Sequence, residues 1–359
     1  MESSRTRIIA SIVVAVVVIA AGVALYLMFG PSDSGEIAVS SPWPEADRER
    51  TVEKPAEPPI WPLTGLPADD PAAPAGTRIV SVKIENSPAA RPQSGIQSAD
   101  VVYESITEGG ITRYNCLFHS KTPSELIGPV RSARLSDIDL VPQYSALFVF
   151  SGASGVVNSA VRSAGLENMS QDAGVSKGYT RVSFKSSPHN LYLDLAEIRA
   201  EAVKRDFSAQ QKIAPFAFER RSTETTVAVS KVTIPFSAAN TSAWTYDQAR
   251  DVYLRTNNGS VHTDRTTGSQ ISASNVVVLW AKTSATAKRD VTGSTTYDIE
   301  LIGSGRGTIF RNGQKFDVTW TGAAGVPPTF KDEAGAQVRL APGNTWFQVV
   351  PTNVNITMQ

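Results

Sequence analysis

Between Ile8 and Phe29 every residue is apolar or small, Ser11 and Tyr26 being the mildest exceptions. At the α-helical rise this run is roughly 33 Å long, enough to cross a bilayer with every backbone hydrogen bond made internally. Arg5 and Arg7 precede it, whereas Asp33 and Glu36 follow it. The positive-inside bias therefore predicts a single-pass protein with residues 1–7 in the cytoplasm, a transmembrane helix over 8–29 and the remainder outside. A cleaved signal peptide, with Gly22 and Ala24 as the small-residue site, is the competing reading. The apolar run continues past the usual length of a signal core, which favours the anchor. No cysteine lies in it or directly after it, so it offers no acceptor for lipid.

From residue 30 to residue 60 prolines and charges replace the apolar pattern, predicting an extended spacer that buries no core. Trp61 and Leu63, beside the turn at Thr64-Gly65, supply large apolar side chains that can dock on the adjoining domain. The first domain is placed at 61–221. Arg78 to Glu85 alternates imperfectly, which predicts a strand buried on both faces. Val101–Ile106 and Thr112–His119 flank Thr107-Glu108-Gly109-Gly110-Ile111 and predict a hairpin whose glycine pair accepts positive φ. Ala146–Phe150 predicts a short strand that enters the small-residue turn Ser151–Gly155 and then a helix over 156–166. A further helix is predicted from an Asn190 cap to about Asp206, with Leu191, Leu195, Ile198 and Ala202 on one face.

After residue 222 the helical period disappears. Strands are predicted over 225–234, 252–255, 275–282, 296–302, 308–310, 316–320 and 346–350, punctuated by Asn258-Gly259, Asn312-Gly313 and Pro342-Gly343. The fold class is thus α+β: an α/β-type first domain, then a mostly β second domain over 222–359.

Composition narrows the partners. Thirty-four Lys and Arg against 34 Asp and Glu leave no cationic surplus for phosphate backbones, so no nucleic-acid partner is expected. With one cysteine and three scattered histidines, neither a disulfide nor a metal site is expected, and no cofactor is implied. Gly303-Ser304-Gly305-Arg306-Gly307 precedes a β-like run rather than a helix, so it reads as a strand junction, not a phosphate loop. Cys116 reads as a buried thiol, and His262 with Asp264 as a surface loop pair.

Polar groups are densest in the first domain: Asn86, Arg91, Glu104, Glu108, Arg113, Arg131, Ser132, Arg134 and His189. Arg131 and Arg134 aim two guanidiniums at one anion if their segment turns helically. Arg91 joins them as an anion contact, with Glu104 and Arg113 orienting, His189 a polar contact and Asn86 and Ser132 in the lining. The alternative pairs these arginines internally with Glu104 and Glu108. Those two glutamates are also candidates for the carboxylate pair of a glycosidase. Gly152-Ala153-Ser154-Gly155 matches half of a nucleophile elbow, with Val156 where the second glycine belongs, so Ser154 is a candidate for an anion at a helix start or, secondarily, a nucleophile.

Several motifs together resemble the YerB-like lipoprotein family, a bacterial domain-of-unknown-function family with N- and C-terminal parts. They are Pro62-Leu63-Thr64-Gly65, Ala90–Gly95, Ala99–Glu104, Glu108–Arg113, Gly128–Arg134 and Pro188–Tyr192, followed by Asp264, Thr267-Gly268, Gly303-Ser304-Gly305 and Trp346. The resemblance covers about residues 60–355 and implies an extracytoplasmic, envelope-attached protein without assigning an activity. The sequence departs from the family in lacking the lipidated cysteine. The expectation is a membrane-anchored envelope protein binding an anionic small molecule or a cell-wall polymer. An envelope hydrolase acting on a glycosidic or ester bond, and a scaffold for an envelope protein partner, are the rivals.

Overall fold

The computed structural model describes residues 58–209, 213–222, 226–289 and 293–359. The expected membrane span at 8–29 and most of the spacer lie outside the described residues. Among the described residues no helix is long and apolar enough to cross a membrane.

In the N-terminal half the strands are β1 (Val80–Glu85), β2 (Val101–Ile106), β3 (Thr112–Phe118), β4 (Leu147–Val149), β5 (Tyr179–Arg181) and β6 (Leu191–Leu193). Its helices are the short α1 (Ala73–Gly76), then α2 (Ser136–Gln143), α3 (Gly155–Ser163) and α4 (Leu195–Val203). Among the described residues the regular elements of the C-terminal half are all strands: β7 (Val227–Ala228), β8 (Lys231–Ser237), β9 (Asn240–Asp247), β10 (Val252–Asn257), β11 (Ser260–Val261), β12 (Ser272–Ala273) and β13 (Asn275–Ala281). It continues with β14 (Thr283–Arg289), β15 (Thr295–Ile299), β16 (Gly303–Arg311), β17 (Gln314–Ala323), β18 (Val326–Lys331), β19 (Thr345–Pro351) and β20 (Thr357–Met358). The fold is mixed α+β with mostly β content.

One ten-stranded sheet runs β18-β17-β16-β13-β19-β2-β3-β1-β4, with β7 beside β17. It crosses from one half of the sequence to the other at β19, which pairs in parallel with β13 on one side and β2 on the other. A second sheet, β11-β10-β9-β8-β20 with β12 on β10, covers one face. There Val232, Ile234, Trp244 and Tyr253 pack against Tyr114, Val276, Val278 and Trp346. The opposite face packs against α2 and α3 through Leu140, Val141, Tyr144, Val157 and Val161. Residues 57–359 form one compact unit, and strand pairing continues across the boundary expected at 221/222.

The hairpin forms as the pattern predicts, and Gly109 and Gly110 take φ of 68° and 72° at its turn. Leu63 is fully buried, and the Trp61 ring stands edge-on to His119 at 4.9 Å, so the segment after the spacer does dock. Two helix readings need correction. The last helix begins at Leu195, not after Asn190, because Leu191-Tyr192-Leu193 is buried as a strand against β5, and Asp194 caps the helix by accepting from Glu197 N at 3.0 Å. The Arg131–Arg134 segment is not helical: Arg131 N donates to Lys83 O and Ala133 N to Gly152 O, so it lies extended between β1 and the loop after β4.

Candidate functional site

Side chains alternate across a strand, so register decides which polar groups meet. In β2 and β3, Glu104 faces Tyr114 across the pair and Ser105 faces Arg113. Tyr114 points into the core shared with the second sheet, so Glu104 does too, and Arg113 points to the helix side. Glu85 is paired in register with Arg113 and shares its face. The polar residues predicted to share one cleft therefore divide into two clusters on opposite faces of the sheet.

The cluster facing the second sheet is sealed. Glu104 and Arg255 are fully buried and form an ion pair at 2.8 Å. Glu104 also accepts from Thr112 at 2.7 Å and Asn86 at 3.3 Å. Arg255 donates to Ser242 at 2.5 Å and to His262 Nδ1 at 3.0 Å, and its guanidinium lies 4.8 Å from the Trp346 ring centre and 5.1 Å from that of Trp244. His262 passes the chain on to Gln93 at 2.8 Å. His262 and Asp264 are thus buried rather than on a surface loop. Asp264 binds the backbone N–H groups of Gly95 and Gln97. Arg91 sits at the rim, donating to Asn257 Oδ1. A sealed and paired network of this kind fastens Glu104 of the N-terminal half to Arg255 of the C-terminal half.

The cluster on the helix side is partly open. At its base Lys83 Nζ lies 2.5 Å from Asp137 Oδ1, with both side chains buried. Burial lowers the Lys83 proton affinity, Asp137 opposes the fall, and Arg113 and Arg134 add to it. Above it Arg134 binds Glu108 at 2.5 Å, and Arg113 lies 3.9 Å from the same carboxylate. Burial works against the Glu108 charge, but the Arg134 hydrogen bond and the two guanidiniums overcome it and hold the carboxyl below its ordinary range. A general acid at neutral pH needs the opposite shift. Arg113 is pushed down to about 9 by burial and by the neighbouring Arg134 and Arg131 charges. Its guanidinium also donates to Ser132 O at 3.3 Å.

Glu85, absent from the sequence-derived set, organises the outer part. Its carboxylate accepts from Ser87 Oγ at 2.7 Å and stands 2.9 and 3.0 Å from His189 Nδ1 and 3.5 Å from Arg131 Nε. The carboxylate is 2% exposed, whereas the Arg131 and His189 side chains keep 24% and 26% of their surface in solvent. Ser154 caps α3, accepting from Val157 N at 3.3 Å. Glu104 and Glu108 have no polar partner in common, and Glu104 meets no solvent. Cys116 is buried in β3, as expected.

Sequence comparison gives the chain its relatives. Two models match, "Protein of unknown function (DUF3048) N-terminal domain" over residues 63–208 and its C-terminal counterpart over 232–347. The chain belongs to the DUF3048 family. A curated member, "Putative lipoprotein YerB" of Bacillus subtilis (strain 168), is 29% identical over 293 residues, covering 81% of this chain and 86% of that protein. The crystal structure of YerB from Bacillus subtilis superposes with a TM-score of 0.72 at 29% identity, covering 83% of this chain and 99% of the other. Within the DUF3048 frame the open cluster belongs wholly to the N-terminal segment, whereas the sealed one joins both segments.

Proposed function

We propose that this DUF3048 protein is a membrane-anchored, extracytoplasmic envelope protein that holds an anionic group, such as that of a cell-wall polymer, at the open cluster of Arg113, Arg131, Arg134 and His189. The observation that carries the reading is a charge mismatch at close quarters. Three guanidiniums, those of Arg113, Arg131 and Arg134, share two carboxylates, Glu85 and Glu108, while Lys83 and Asp137 neutralise each other beneath them. Among the described residues one positive charge is left without a counter-charge at a partly solvent-exposed position, and an anion would supply it. Arg91 and Glu104, on the other face, have no part in this reading.

The envelope location is supported by the apolar run at 8–29 with its flanking charges, and by the lipoprotein name carried by the YerB relative. Because Cys116 is the sole cysteine and lies inside β3, the apolar helix rather than a lipid would anchor this chain.

Arg131→Ala is the informative variant, because Arg131 contributes to the site yet is not sealed in the core. Removing one charge-assisted contact should weaken retention of the detergent-solubilised full chain on purified wall sacculi about tenfold or more, with the thermal midpoint little changed. Equal retention of Arg131→Ala and wild type would reject the site. Labelling of a C-terminal tag from the cytosolic side only would reject the location.

A further inference from the structure

We propose that His189 and Glu85 are an acid–base pair that hydrolyses a phosphodiester held by Arg131; this rests on the anion-binding reading and extends it to an activity. A carboxylate can only accept, so the contact of both Glu85 oxygens with Nδ1 fixes the proton on Nδ1 and leaves the Nε2 lone pair outward. Nε2 has no hydrogen-bond partner among the described residues and is absent from the buried unpartnered atoms, so it is open to solvent. His262 shows the contrast: buried in the sealed cluster, it uses both ring nitrogens, on Arg255 and Gln93.

Arg131 is held against the same carboxylate through Nε, and its Nη1 donates to the carbonyl of Pro188, the residue before His189, at 3.3 Å. Its Nη2 makes no hydrogen bond or ion pair among the described residues and is not among the buried unpartnered atoms. One carboxylate thereby positions an accessible proton acceptor and an accessible guanidinium donor side by side. The single unmatched positive charge fits a group of one negative charge. In a phosphodiester that charge sits on the reacting centre itself, whereas in a neutral ester it would lie elsewhere and in a phosphomonoester it would be nearly doubled.

In the reaction His189 Nε2 takes a proton from water as the water oxygen forms a bond to phosphorus. The bond from phosphorus to the leaving alkoxide breaks on the opposite side, that oxygen takes a proton from solvent water, and Nε2 gives its own proton back to solvent. One water is consumed, a phosphomonoester and an alcohol are released, and the imidazole returns to its starting form. Glu85 is a positioning residue, fixing the ring and balancing its transient charge.

The test measures p-nitrophenolate release from bis(p-nitrophenyl) phosphate by the solubilised full chain, with sacculus retention measured on the same preparation. Turnover is expected, falling about 100-fold or more in His189→Ala. Glu85→Gln should lower kcat with KM little changed, whereas Arg131→Ala should mainly raise KM. Should burial of Glu85 prevent its variant from folding, the partly exposed His189→Ala decides alone. Wild type that is retained on sacculi but releases no product overturns the hydrolysis and leaves the binding reading standing. Turnover unaffected by His189→Ala overturns the hydrolysis as well, and wild type that shows neither turnover nor retention overturns both.

Discussion

The buried Glu108 carboxylate is a charge kept in place by arginines, and its cost and its benefit both depend on pH. Its proton affinity is lowered in the fold, so the folded state favours the ionised form more than the unfolded chain does. Stability from this source is fully present above the ordinary value of about 4.5 and is lost as pH falls through the lowered folded value. Glu108→Gln should therefore cost about 2 kcal/mol at neutral pH, the range for a buried hydrogen bond to a charged group. Thermal midpoints of the two proteins should converge as pH drops below about 4.5; a gap that stays constant with pH would exclude this origin. The same residue shows where sequence reading succeeds and where it stops. Glu108, Arg113 and Arg134 are all visible as a polar concentration, and they do meet. Glu85 is not, because Arg78–Glu85 reads as a strand apolar on both faces, and the polar alternation Ser81, Lys83, Glu85 has meaning only once its partners arrive. Lys83 meets Asp137, 54 residues on, and Glu85 meets His189, 104 residues on.

Elements place these side chains through backbone constraints that local pattern reports unevenly. The hairpin is legible because both its strands and its turn glycines are local. Helix α2 is not, since Pro142 and the polar residues of Ser136–Gln143 conceal its buried side, which is fixed by contact with the sheet. The segment carrying Arg131 is set by Gly128, whose φ of 158° and close surroundings leave no room for a side chain. A Cβ there would lie 2.9 Å from the Tyr192 ring and 3.1 Å from Leu191 O. Gly128→Ala should consequently push the 128–134 segment off β6, destabilising by about 1–3 kcal/mol, in the range of overpacking. Denaturant melts measure this cost, and sacculus retention should fall with it because Arg131 moves. An unchanged denaturation midpoint would show that Tyr192 yields freely. Arg131 and Arg134 also illustrate a right residue reached for the wrong local reason: three-residue spacing suggests one helical face, whereas each is held from an extended segment by its own glutamate.

At the scale of the molecule the decisive feature is a strand that belongs to one half of the sequence and completes the sheet of the other. The sequence divides near residue 222 in element content, helices and strands before it and strands alone after, and the two family segments keep nearly the same division. The sheet does not. Thr345–Pro351 lies between β13 and β2, buried along all but its last residue, and parallel pairing across more than two hundred residues leaves no local trace in sequence. Without β19 the N-terminal half would expose the backbone edge of β2 and the apolar faces that Trp346, Phe347, Val349 and Val350 cover. Glu104 would in addition lose Arg255, leaving a buried carboxylate without its counter-charge. A fragment ending at residue 222 should accordingly aggregate or melt without cooperativity, and co-expression with residues 226–359 should restore a soluble complex. Size-exclusion chromatography and thermal melting of the two preparations check this. A monomeric 58–222 fragment with its own sharp transition would mean that the halves are independent and that the β2–β19 seam is a contact between finished domains rather than part of a shared fold.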